Sequence, residues 1–250
     1  MGRYRRRRRD NSLDFLGTVF FYVLYLYVLL IVFMVKILLI IIQLIIFYGT
    51  KYKEKSGNGF LKTYFHKGTW AEYKLYRKLI KVFGEDKLLT NLYLPSQNID
   101  NTEIDVLGVH NGIVYCYEVK NYGGYIYGSE EDKYWTQVLN YRIKNRFYNP
   151  IRQNYAHVKA LESFLSIESQ DIVPIIVFSN RSNLDNIELY DSNVFRLNSK
   201  FYTLDRIGKY SDELLIEKLS SCSNMSEQVK REHLNQINKL KDWWKTAIWI

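Results

Sequence analysis

Residues 102–124 read TEIDVLGVHNGIVYCYEVKNYGG. Two strand-like runs, Glu103 to Val109 and Ile113 to Lys120, are joined by His110-Asn111-Gly112. Asn-Gly between apolar runs is the strongest short-range hairpin signal, because both central residues of a type I′ turn need positive φ. With Asn111 and Gly112 at those positions, His110 pairs with Ile113, and the register carries Asp105 opposite Glu118 and Glu103 opposite Lys120. Opposed residues leave one face of a sheet with Cβ atoms about 4.5–5.5 Å apart, and the period of two sets Lys120 on the face of Glu118. Facing carboxylates repel unless something compensates, and a shared divalent cation would do so. Leu107, Val114 and Cys116 fall on the same face, so it is expected to be covered, where charge needs a partner. The plain alternative is a solvent-facing hairpin on which Lys120 pairs with Glu103.

Working upstream, Thr69 to Val82 carries Leu75, Leu79 and Val82 at helical spacing, with Gly84 as a stop. Glu72 shares the face of Leu75 and Leu79, or closes a Thr69-x-x-Glu72 capping box. Leu88 to Leu94 reads as a short strand. Downstream, Tyr125 to Tyr127 and Tyr134 to Val138 continue the meander. Asn149-Pro150 supplies a cap and first-turn proline for a helix to about Leu165, with Gln153 in its first turn. Ile172 to Phe178, IVPIIVF, has the apolar run of a strand buried on both faces, although its Pro174 favours an edge. Val194 to Leu197 is a last strand, and Ser211 to Leu219 and Ser226 to about Trp244 are terminal helices. This order predicts an α/β (α+β) domain with a mixed sheet.

Apolar residues make up 47% of the 250-residue chain and only three are Pro, which excludes a disordered or collagen-like chain. The net charge of +9 divides unevenly. A basic N-terminal tail, residues 1–14, holds +4; 15–50 hold only Lys36; 51–250 keep +4. The globular part is thus mildly basic. Two cysteines, Cys116 and Cys222, build no disulfide framework and fit a reducing compartment. His66, His110, His157 and His233 have no zinc-ligand spacing.

Phe15 to Val35 is 21 residues without a charge, enough to cross a hydrocarbon core of about 30 Å as a helix. The apolar run resumes after Lys36 and ends near Tyr48. A lysine at mid-membrane costs roughly 2.5–3.5 kcal/mol, so Lys36 is expected at an interface. The second stretch then lies on the surface, or the whole run folds as a re-entrant hairpin. Both flanks are basic, with Arg3 and Arg5 to Arg9 before and Lys51, Lys53 and Lys55 after; the Arg run reads as a topology and lipid-headgroup signal. The domain layout expected is tail 1–14, membrane segment 15–48, linker 49–67, folded domain 68–200 and a helical extension 201–250.

The helix start GTWAE with Glu72, the stretch 102–124, Trp135, and NPIRQNYAHVKAL from residue 149 together resemble the nuclease-related domain, NERD, a branch of the PD-(D/E)xK nuclease superfamily. The resemblance covers roughly residues 68–180, and Ile104 stands where the superfamily's name has Pro. It implies a restriction-endonuclease-like sheet flanked by helices, with Asp105 and Glu118 as Mg²⁺ (or Mn²⁺) ligands and Lys120 near the attacked phosphate. It further implies Glu72 as a helix carboxylate assisting the metal and Gln153 as a polar group of the second helix. The expected activity is phosphodiester hydrolysis of nucleic acid, DNA before RNA, by a membrane-anchored enzyme. Arg142, Lys144, Arg146 and Arg152, interleaved with Tyr141, Phe147 and Tyr148, form either a backbone-contacting stretch or an ordinary solvated face. The alternative function is a catalytically inactive, membrane-tethered nucleic-acid- or protein-binding module of the same fold. Mg²⁺, nucleic acid and the free cysteines favour a cytoplasmic domain.

Overall fold

A computed structural model describes residues 11–94, 102–140, 142–200 and 206–222. The chain divides into two units after Gly49. The first is a single helix, α1 (Asn11–Tyr48), which runs unbroken through Lys36. Its stretch Phe15–Tyr48 is long and apolar enough to cross a membrane. The re-entrant hairpin is therefore not formed: with no Gly or Pro near Lys36, nothing interrupts the i→i−4 ladder.

The second unit begins with α2 (Tyr52–Ser56), α3 (Phe60–Phe65) and α4 (Lys67–Phe83). Strands β1 (Leu88–Leu94), β2 (Thr102–His110), β3 (Ile113–Lys120), β4 (Gly124–Ser129), β5 (Tyr134–Leu139) and β6 (Ile143–Tyr148) follow. Then come α5 (Pro150–Leu165), β7 (Ile172–Phe178), β8 (Ser182–Glu188), β9 (Val194–Arg196) and a helix α6 over 212–222. The helix expected at Ser226 to Trp244 lies outside the described residues.

The strands form two sheets rather than one meander. The first has the order β1-β2-β3-β7-β9, antiparallel through β3 and parallel beyond it. The second has the order β6-β5-β4-β8. Asn111 and Gly112 both take positive φ, 52° and 76°, and pair His110 with Ile113 as the turn requires. Gly112 is further confined because a Cβ there would strike the Tyr210 carbonyl. Asp212 locks the turn by accepting from the Gly112 N–H at 2.7 Å and pairing with Lys87 at 2.6 Å. Pro174 is accommodated inside the sheet. Its carbonyl accepts from Asn193, and β9 begins to pair only at Ile176, so the missing N–H faces a side with no strand beside it.

Alternate residues of β3 meet opposite helices. Tyr115 and Tyr117 pack against Phe83 of α4, which also fills the space left by Gly108. Val114 and Cys116 join Leu107, Val158, Leu161 and Leu165 in the core under α5. Leu215, Leu219 and Cys222 of α6, which fall in the expected C-terminal extension, close that core. Residues 50–67 are likewise no linker. Tyr52 is fully buried against Tyr73 and Tyr76, and Lys55 donates to the Glu85 and Leu88 carbonyls. The second sheet docks through Trp135, whose ring stacks on Phe178 with centroids 6.1 Å apart.

Candidate active site at the open end of the hairpin

The β2/β3 ladder runs in the expected register from His110↔Ile113 to Val106↔Tyr117 and then stops one pair short of Asp105. Continued pairing would offer the Val119 N–H to Ile104; instead the Asp105 carboxylate accepts that N–H through Oδ2 at 2.8 Å. Asp105 thus sits in the seam between the strands, not simply on the face of Glu118. The facing of β2 shifts there. Ile104 and Leu107 pack in the same core, which strict alternation forbids, and the partner strand turns at Asn91, whose φ is 52°. A carboxylate in the seam senses both sides of the sheet. Burial first, then Glu118 and Glu72, hold the Asp105 carboxyl well above the usual carboxylate range, while the Val119 N–H and Lys120 pull it back.

Glu118 is 2% exposed and its two oxygens have separate partners. Lys120 donates to Oε1 at 2.6 Å, and His157 Nε2 meets Oε2 at 3.0 Å. Burial pulls the Glu118 carboxyl up, but His157 and Lys120 outweigh it and hold it below the usual range. It is therefore ionised at neutral pH. An ionised carboxylate only accepts, so His157 Nε2 donates to it, and the other ring nitrogen, Nδ1, lies 2.6 Å from the Thr102 hydroxyl. Lys120 also donates to Gln153 Oε1 at 2.8 Å. The Lys120–Glu103 pair of the solvent-facing alternative does not form: Lys120 turns to Glu118 and Gln153, and Glu103 accepts from the Asn91 amide.

Glu118, Lys120 and Gln153 are therefore bonded together, with Asp105 beside them in the seam. Asp105, Gln153 and His157 line a cleft of about 390 Å³, together with Thr102, Tyr148 and Arg152. Glu72 lies half-buried on α4, on the stripe of the buried Leu75 and Leu79, and reaches Asp105 electrostatically. The capping box does not form. His66 is the cap, its ring accepting from the Thr69 N–H, so the helix begins earlier than expected, at Lys67.

Two residues that sequence reasoning left out hold this arrangement. His157 follows Gln153 by one helical turn, a spacing visible in the sequence. Asn154 is buried and donates to the Cys116 and Ile175 carbonyls, fastening α5 to β3 and β7. The stretch Arg142 to Arg152 behaves differently. Ile143 to Tyr148 is an exposed strand of the second sheet, Arg146 lies over the Tyr134 ring, and Arg152 donates to the Glu131 carbonyl. Tyr141 lies outside the described residues.

Carboxylate oxygens are hard donors that suit Mg²⁺ or Mn²⁺ rather than zinc. In chemistry, Asp105, Glu118 and Glu72 fit such an ion. They do not converge on one point: among the described residues no group of three or more His, Cys, Asp or Glu is gathered to hold a metal. Cys116 offers no alternative chemistry, since burial, then Glu118 and Asp105, push its thiol up and away from the reactive thiolate.

Residues 67–179 match the family model of the nuclease-related domain. An uncharacterized protein of Bacillus anthracis, pXO1-01, is 27% identical over 158 residues, covering 60% of this chain and 74% of its own length. No solved structure matches the chain. The matched segment contains Glu72, the hairpin, the cleft and the first turns of α5, and its ends coincide with the start of α4 and the end of β7. Residues 67–179 of this chain are a nuclease-related domain, NERD.

Proposed function

We propose that this domain is a metal-dependent nuclease that hydrolyses phosphodiester bonds of nucleic acid, DNA in the first instance. The observation that supports it best is the buried Glu118 bonded to the half-buried Lys120, which is bonded in turn to Gln153 of the cleft, with Asp105 anchored beside them. A buried carboxylate kept ionised, next to an ammonium and a second carboxylate, is costly as structure alone. It is the set that hydrolysis of a phosphodiester uses. Asp105 and Glu118, assisted by Glu72, would hold Mg²⁺ or Mn²⁺, which when bound polarises the phosphate and acidifies a water. Lys120 stabilises charge developing on the phosphate oxygens and orients the attacking water. Gln153 fixes the Lys120 ammonium. His157 keeps Glu118 oriented and charged, as outer partners of metal ligands do. The full chain in detergent should cleave DNA in Mg²⁺ and stop cleaving when EDTA is added; undiminished cleavage in EDTA would refute metal dependence.

The helix α1 would anchor this activity to a membrane, with the domain on the cytoplasmic side, where Mg²⁺ and nucleic acid are available and the buried thiols of Cys116 and Cys222 stay reduced. A single unbroken span then leaves the Arg-rich tail outside, against the positive-inside tendency. In intact cells a membrane-impermeant thiol reagent should label a cysteine placed at Lys53 no faster than background. Rapid labelling there would overturn the cytoplasmic placement.

A further inference from the structure

On the other side of β3 from the cleft lies a larger groove of about 830 Å³. Helix α4 forms one wall, and the ends of β3 and β7 with the turn after them form the other. Six cations line it: Lys67, Lys74, Arg77, Lys78, Lys81 and Arg181. No Asp or Glu lines it, and among the described residues none of the six pairs with a carboxylate. The five on α4 fall on one side of the helix, Lys74 being seven residues after Lys67 and both Arg77 and Lys78 lying within a turn of Lys74 and Lys81, so they form one broad stripe, opposite the stripe of Glu72, Leu75 and Leu79 that meets the sheet. From Lys67 to Lys81 the stripe runs ~21 Å at 1.5 Å per residue, the length of about six nucleotides at 3.4 Å each. Unpaired like charges gathered this closely repel. Arg181 faces Lys74 and depresses its ammonium pKa, second to burial.

Two further features say what the groove takes. Trp70 and Tyr64 line it, in edge contact 5.1 Å apart, with the Lys74 ammonium 5.5 Å from the Trp70 ring. Aromatic faces interleaved with cations along a groove are how proteins hold single strands, by stacking bases and tracking the backbone. The groove also reaches the candidate active site through the strand itself. Val119 and Asn121 line it, while Lys120 between them projects to the other face. A lipid surface would meet a convex basic face more readily than a concave one.

We propose that this groove binds single-stranded nucleic acid and delivers it around the end of β3 to Lys120. The inference rests on the nuclease reading above and adds the strand state and path of the substrate. The test is fluorescence anisotropy of a labelled twelve-nucleotide single strand, and of its duplex, with the full chain in detergent and EDTA. The wild type should bind the single strand tighter than the duplex. Replacing Lys74, Lys81 and Arg181 together by Gln should weaken single-strand binding about tenfold or more. It should also reduce the slope of log affinity against log salt by about 2, three lost phosphate contacts at roughly 0.7 each. The Lys144→Gln/Arg146→Gln pair on β6 should leave binding unchanged, and thermal melting should show the groove variant folded. Equal binding by wild type and groove variant would overturn the proposal. So would duplex binding as tight as single-strand binding, or binding only to anionic lipid micelles. Lys120→Ala separates the two readings: it should bind the single strand as wild type does yet fail to cut it in Mg²⁺.

Discussion

Glu118→Gln and Lys120→Ala should each lower Mg²⁺-dependent cleavage by roughly 10²–10³-fold, the effect of removing one group that stabilises developing charge. The substitutions act at different points. Glutamine keeps the shape of Glu118 and its contact with His157 but removes the negative charge that a hard cation needs. Alanine at 120 removes the ammonium and frees Gln153, while Glu118 keeps His157. Breaking the Lys120–Glu118 pair leaves a buried charge half-satisfied, so some stability is lost with activity. Circular dichroism should still report a folded domain. A rate loss in an unfolded variant would say nothing about catalysis, and Glu118→Gln, which empties no space, is the cleaner of the two.

The second large effect is on stability. Trp135→Ala should destabilise the domain by about 3–5 kcal/mol, the usual cost of deleting a fully buried large aromatic. For a domain near 200 residues this corresponds to a fall in Tm of roughly 10 °C. Trp135 stacks on Phe178, sits against Phe147 and bonds the Ser129 carbonyl through Nε1, so it ties the second sheet to the first and closes the turn after β4. Thermal denaturation measures the effect; a change below about 1 kcal/mol would show that the sheets do not depend on this contact.

Much of this fold was legible because strong local signals agreed with the tertiary structure. The Asn111-Gly112 turn fixed the register of the hairpin, and Asn149-Pro150 marked the start of α5, where the Asn149 side chain does accept from the Ile151 N–H. Ile172 to Phe178 read as a buried strand and is one. What stayed hidden had weak or contrary signals. Strand β8, SNLDNIE, has no apolar alternation; it is an edge partner of β4 that brings only Leu184 and Ile187 to the core. Strand β6, IKNRFY, carries Lys144 and Arg146 beside Phe147 and Tyr148, a pattern that fits a backbone-contacting stretch as well as a solvated face and does not announce a strand. Helices α2 and α3 are too short to show a period, and their order comes from packing.

The site was legible in composition but not in fine geometry. Glu118, Lys120 and Gln153 come together because strand and helix periods are regular. Asp105 departs from the simple facing pair by accepting the Val119 N–H, opposite an Asn91 in left-handed conformation, and no pattern of apolar residues announces either feature. His157 and the basic stripe of α4 were within reach of the helical period. The cations lie on the back of α4, away from the apolar face of Leu75 and Leu79 that the helical period picks out.

Whether the hairpin and α5 assemble a phosphodiesterase site is decided by comparing cleavage rates of wild type and Lys120→Ala. The full-length proteins in detergent would be given Mg²⁺ with single-stranded and duplex DNA and with RNA. Cleavage by the wild type that requires Mg²⁺ and falls at least a hundredfold in Lys120→Ala is the predicted result. Equal rates for the two proteins, or no cleavage of any substrate by the folded wild type in Mg²⁺, would contradict it.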